Sequence, residues 1–125
     1  MLIDTDVLIW HLRGNRRAES LIEGVHGRTI SAISYMEVVQ GLRNKDEARR
    51  WKSLLANFGI AVLPIEERIS EKAMFWMDEF ALSHGLEIPD ALIAATAEIS
   101  GRILVTGNAA DYRFLPGLNI KLFKP

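Results

Sequence analysis

Short apolar runs of the kind that make strands alternate along this chain with longer stretches patterned for helices, and no other feature of the sequence restricts the fold as much. Met1-Leu2-Ile3 is stopped by Asp4-Thr5-Asp6, after which Val7, Leu8, Trp10, His11 and Leu12 predict a helix ending near Gly14. A second short helix is expected over Arg17 to Glu23, a loop at His26-Gly27, a strand at Thr29-Ile30-Ser31 and a helix from Ser34 to Arg43. From Asp46 onward Ala48, Trp51, Leu54, Leu55 and Phe58 recur at helical spacing while charges take the other face, until Gly59. Ile60 to Leu63, bounded by Gly59 and Pro64, reads as a short buried strand. Ile69, Ala73, Trp76 and Phe80 then form the stripe of a long helix closed by Gly85, with His84 in its last turn. Pro89 opens a helix rich in Ala91, Ala94, Ala95 and Ala97, small residues that let a helix lie close against a sheet. Arg102 to Val105 reads as a strand, Asn108 to Tyr112 as a brief turn or helix and Asn119 to Phe123 as a final strand. Strands joined through helices run parallel and need cover on both faces. The expected fold is therefore α/β, three layers (α/β/α) around a central, mostly parallel sheet of about five strands, in a single domain over residues 1–125.

Composition removes several classes of function. With no cysteine, neither a disulfide framework nor a thiolate metal site is possible, and a reducing, cytoplasmic setting is the natural expectation. An acid at the fourth residue interrupts any secretory h-region, and no apolar run reaches membrane-spanning length, so no membrane partner is expected. Fifteen basic residues against sixteen acidic ones leave a net charge of −1, which is not the footprint of a strongly basic nucleic-acid binder; any polyanion must be held locally. The densest basic stretch, Arg43, Lys45, Arg49, Arg50 and Lys52, reads as a solvated helix face. The three histidines share no spacing, and the glycines form neither a Gly-x-Gly-x-x-Gly turn nor a P-loop, so neither a Ser-His-Asp catalyst nor nucleotide binding is indicated.

Four acids, Asp4, Glu37, Asp90 and Asp111, fall where a strand should end or a helix should begin, the positions at which an open α/β sheet gathers ligands. Each also has an ordinary explanation. Asp4 suits an N-cap, and Ser34-x-x-Glu37 suits a capping box. Asp90, in a first helical turn, suits the helix dipole, worth about 0.3 to 1 kcal/mol. Thr106, Asn108 and Asp111 are common loop residues. Against these stand the Asp4-Thr5-Asp6 pair, with a hydroxyl between the acids able to orient either, and the apolar neighbours of Glu37, which would leave its carboxylate desolvated unless it faced a cleft or cation. Gathered together, such carboxylates repel and raise one another's pKa, so a compensating hard divalent cation is expected.

The ordered set Leu2-Ile3-Asp4-Thr5-Asp6-Val7-Leu8, Ser34-x-x-Glu37, Pro89-Asp90-Ala91-Leu92-Ile93-Ala94-Ala95 and Leu104-Val105-Thr106-x-Asn108-x-x-Asp111-Tyr112 resembles the PIN-domain ribonucleases, in particular the VapC-type toxins of bacterial and archaeal toxin–antitoxin pairs. That resemblance implies a Mg²⁺- or Mn²⁺-dependent endoribonuclease acting on RNA, usually a homodimer, inhibited by a small antitoxin protein. It also implies Asp4 and Asp90 as principal metal ligands, Glu37 as a further acid of the cluster, and Thr106, Asn108 and Asp111 as the closing segment. Relatives often carry their fourth acid where Asn108 stands, which leaves open whether Asp111 reaches the metal or braces the loop.

Two other readings share these residues. Ile3-Asp4-Thr5-Asp6 and Ile103-Leu104-Val105-Thr106 resemble the first two motifs of haloacid dehalogenase-type phosphatases, but no acidic pair follows the second. A binding module that keeps the fold without turnover, occluding RNA or a partner protein, is the third.

Overall fold

Five strands and six α-helices alternate as the sequence pattern requires: β1 (Leu2–Ile3), α1 (Thr5–Leu12), α2 (Arg16–Gly24), β2 (Thr29–Ser31), α3 (Ala32–Gly41), α4 (Lys45–Asn57), β3 (Ala61–Leu63), α5 (Glu67–His84), α6 (Ile88–Ile99), β4 (Leu104–Thr106) and β5 (Ile120–Leu122), with a single 3₁₀ turn at Ala109–Asp111. The structure is a computed structural model describing residues 1–125. All strands are parallel, in the order β3-β2-β1-β4-β5. The chain adds strands on one side of β1 and then crosses to the other, so strand order reverses between β1 and β4. Ligands of open α/β sheets bind at such a reversal, beyond the carboxyl ends of the strands.

The period of two along each strand sorts side chains into two cores. Leu2 and its register partner Leu104 point into the layer formed by α5 and α6, among Ala73, Trp76, Ala91 and Ala94. Ile3 and Val105, one residue on, point the other way into Val7, Leu8, Ile22, Val38 and Trp51. Apolar residues on both faces of the central strands thus follow from a sheet covered on both sides. Every alanine of the Ala91-to-Ala97 stretch is fully buried, which lets α6 sit close to its neighbours.

Several local expectations change. The run before Pro64 is not a buried strand: Ala61 and Val62 are exposed, because β3 pairs only with β2 and forms one edge of the sheet. Helix α3 begins earlier than Ser34. Ser31 leaves β2 in extended conformation and caps the helix at once, its Oγ accepting the Ile33 N–H at 3.0 Å, so Ser34-x-x-Glu37 is not a capping box. The basic stretch around α4 is a solvated face paired with its own acids, through Arg43–Glu47 at 2.8 Å, Arg50–Asp46 at 3.4 Å and Arg49–Asp46 at 3.5 Å. No helix is long and apolar enough to cross a membrane.

Candidate active site

Register alone brings the first pair of residues together. Continuing the β1–β4 alignment of Ile3 with Val105 sets Asp4 beside Thr106, and the Asp4 N–H donates to the Val105 carbonyl at 2.9 Å. Both residues sit at the strand-order reversal, and both are buried. Thr106 donates its hydroxyl to Asp4 Oδ2 at 2.8 Å while accepting the Asn108 N–H at 3.0 Å, so the backbone of the following turn fixes where the Thr106 proton points. Asp4 Oδ1 accepts the Thr5 N–H at 2.8 Å, the N-cap role expected of it, so capping and site membership coincide in one side chain.

The 3₁₀ turn delivers Tyr112, whose hydroxyl stands 3.1 Å from Asp4 Oδ2 and 3.2 Å from Asp90 Oδ1. A single phenolic proton therefore serves two carboxylates. Asp90 reaches this point from the first turn of α6, opened by Pro89. Burial pushes the Asp4 carboxyl up to about 7, against the opposing pull of the Thr106 hydroxyl, with the nearby Asp6 adding to the rise. Burial also raises Asp90 to about 6, with Asp111, Glu37 and Glu87 contributing repulsion and Tyr112 opposing it. The Tyr112 hydroxyl is driven well above its ordinary value by burial and by the two carboxylates it faces, so it remains a proton donor.

Glu37 enters from α3. Its Oε1 accepts the Thr5 hydroxyl at 2.7 Å, and the same hydroxyl lies 2.9 Å from Ser34 Oγ. The Thr5 hydroxyl thus orients Glu37, rather than Asp4 or Asp6 as its place between those acids suggests, while the Thr5 amide holds Asp4. Asp6 is held from the far end of the chain, its Oδ2 accepting the Gly107 N–H at 2.9 Å. Burial raises the Asp6 pKa, the Gly107 N–H opposes that rise, and Asp111 adds to it. A Cβ at position 107 would stand 2.5 Å from Asp6 Oδ2 and 3.3 Å from the Phe123 carbonyl oxygen, so only glycine fits this approach.

Asp111 is exposed, yet close enough to repel both Asp6 and Asp90. Asn108 is exposed too and contributes its backbone N–H. The structure therefore joins Thr106 to Asp4 by a direct hydrogen bond and Asp90 to Asp4 through the Tyr112 hydroxyl, with Glu37 and Asp111 at the margin. Three contributors escape sequence reasoning: the Tyr112 hydroxyl, the Gly107 amide and the Thr5–Glu37 link. Only Tyr112 leaves a trace, as an aromatic with a polar tip placed one residue after a candidate acid.

In this structure no group of three carboxylate or imidazole side chains stands close enough to hold a metal ion. The Asp4 oxygens accept from three donors and Glu37 accepts from Thr5, and unshielded carboxylates gain nothing by approaching further. The residues nonetheless fit a hard cation. All donors are oxygens, Asp4 and Asp90 already lie on either side of one hydroxyl, and Asp6 Oδ1 is buried without any partner. Mg²⁺ is commonly bound through one or two carboxylates and keeps several waters, so the Asp4–Asp90 pair suffices.

Fold and crevice together define an α/β protein with a carboxylate-lined site at the strand-order reversal of a parallel sheet. A family model described as PIN domain matches residues 1–114, and the chain belongs to the PIN domain family. Among relatives it is 36% identical over 112 residues to Ribonuclease VapC10 of Mycobacterium tuberculosis, covering 86% of this chain and 82% of that protein. Its fold matches a toxin–antitoxin complex from Klebsiella pneumoniae with a TM-score of 0.78 at 30% identity, over 94% of this chain and 93% of that one. It also matches VapBC2 from Rickettsia felis, bound to a DNA fragment from its promoter, with a TM-score of 0.79 at 18% identity over 98% of both chains. The chain is thus a homologue of the VapC ribonucleases, and the haloacid dehalogenase reading falls with that assignment.

Proposed function

We propose that this chain is a metal-dependent endoribonuclease, the toxin of a toxin–antitoxin pair, cutting RNA phosphodiester bonds in the crevice between Asp4 and Asp90. The observation that carries the proposal is the pair of carboxylates from distant parts of the chain, both raised in pKa and joined only by the Tyr112 hydroxyl. Asp4 and Asp90 would hold the ion, Mg²⁺ or Mn²⁺. Once bound, it supplies a water of lowered pKa and offsets charge developing on the phosphate. The remaining chemistry belongs to the chain. Thr106 and the Thr5 amide keep Asp4 in one orientation, and Tyr112 sets the separation of Asp4 from Asp90. Thr5 fixes Glu37 through Oε1, leaving Oε2 to accept a proton from water approaching the phosphodiester. Asp111, near enough to repel Asp6 and Asp90, would complete the acidic cluster.

The toxin role and a small antitoxin partner draw on the toxin–antitoxin complexes among the matched structures; a second copy of the chain and a cytoplasmic setting belong to the same proposal. The test is direct. The purified chain is incubated with assorted RNAs in Mg²⁺ or EDTA, beside an Asp4→Asn control. Fragments that need the metal and vanish in the variant support the nuclease; RNA bound but never cut would make the chain a binding module. Co-expression with the product of an adjacent short reading frame should abolish cleavage and yield a complex on gel filtration.

A further inference from the structure

We propose, on the strength of the ribonuclease reading, that the cleft between the start of α2 and the end of β5 is a track for the phosphodiester backbone of the RNA flanking the cut. The cleft encloses about 500 Å³ and is lined by Arg16, Arg17, Lys121 and Lys124, with no acidic side chain. All four cations are exposed, and none joins an ion pair; the ion pairs of this chain are confined to Arg43, Asp46, Glu47, Arg49 and Arg50. A protein of net charge −1 thus concentrates uncompensated positive charge around one concave surface, which focuses the local field in favour of a polyanion.

Position decides which polyanion. Phe123, in the cleft wall, donates its N–H to the Thr106 carbonyl at 2.8 Å, and its own carbonyl abuts Gly107, whose amide holds Asp6. One wall residue of the cleft is thus joined through its backbone to Thr106, the residue that holds Asp4, and adjoins the glycine that holds Asp6. An acidic crevice repels the substrate it must cut, so an endonuclease needs cations beside the crevice to hold the neighbouring phosphates. An RNA strand lying across Asp4 and Asp90 meets that requirement by entering this cleft. An acidic polypeptide would match the charge but has no need of continuity with the crevice.

The test uses the full chain and two double variants, Arg16→Gln/Arg17→Gln and Lys121→Gln/Lys124→Gln, each checked for an unchanged melting temperature. Binding of a mixed-sequence single-stranded RNA is measured in EDTA over a range of salt, apart from any cleavage. Each variant should bind about tenfold more weakly, whatever the sequence, with the slope of log affinity on log salt reduced by about 0.7 for each phosphate that is no longer neutralised. Unchanged affinity and slope in both variants would overturn the track, as would normal RNA binding with reduced affinity for polyglutamate, which would assign the cleft to an acidic polypeptide. RNA bound by the parent through these cations but never cut in Mg²⁺ would sink the ribonuclease reading alone and leave the track standing.

Discussion

A shared proton is the most consequential atom of the site, because the Tyr112 hydroxyl donates toward two carboxylates that burial already destabilises as anions. Tyr112→Phe should therefore cost the metal-free protein about 1.5 to 3 kcal/mol at pH 8, where both acids need a donor, and much less at pH 5; denaturant melts at the two pH values measure it. Asp90→Asn removes one of the repelling charges. It should abolish cleavage on an RNA gel yet leave the metal-free protein as stable as the parent or more so, and loss of folding in that variant would refute the role given to Asp90. Gly107→Ala forces a methyl into the space of Asp6 Oδ2 and should cost about 1 to 3 kcal/mol in a thermal melt together with most of the activity. These three residues also mark how far sequence can reach. Asp4 and Asp90 are legible because each stands at an element boundary. The need for glycine at 107 arises from a meeting with Asp6 across 101 positions, and no local pattern encodes it.

Among the elements, α5 and α6 are readable because punctuation and stripe agree: Gly85 ends one in the left-handed conformation, with φ of 66°, and Pro89 opens the other. β3 misleads because an apolar run between glycine and proline looks the same whether it lies at the centre of a sheet or at its edge; only sheet order distinguishes the two. The start of α3 is hidden because Ser31 ends a strand and caps a helix in one residue, leaving no loop to signal the change. The alanines of α6 yield the sharpest element-scale expectation. Ala95 is fully buried, so Ala95→Leu should overpack the interface and cost about 1 to 3 kcal/mol, read as a lowered midpoint in urea with little change in slope.

At the scale of the whole molecule the acidic crevice ties stability to pH. Asp4 and Asp90 rise from an ordinary value of 3.8 to about 7 and about 6, so between roughly pH 4 and 7 the folded chain binds more protons than the unfolded one. Their contribution is complete below the unfolded value and is lost as pH rises through the folded values. In EDTA the melting temperature should accordingly be higher at pH 5 than at pH 8, and added Mg²⁺ should raise it more at pH 8 than at pH 5; a melting temperature that climbs with pH in EDTA would contradict this. Sheet order and the grouping of Arg16 and Arg17 with Lys121 and Lys124 exist only at this scale, since more than a hundred residues separate the two pairs in sequence. The arginines of the run that looks basic in sequence are paired with Asp46 and Glu47 beside them, whereas the cations that line the cleft come from residues far apart in the chain and join no ion pair.

The open sheet has a further consequence. β3 and β5 each present unpaired backbone groups along an outer edge only three residues long, one halted by Pro64 and the other interrupted by Lys121. Short edges, prolines and lysines are what discourage molecules from stacking edge to edge. Lys121→Gln removes such a guard as well as a cation, so that variant should self-associate more readily on concentration, whereas Lys121→Glu reverses the charge and keeps the molecules apart.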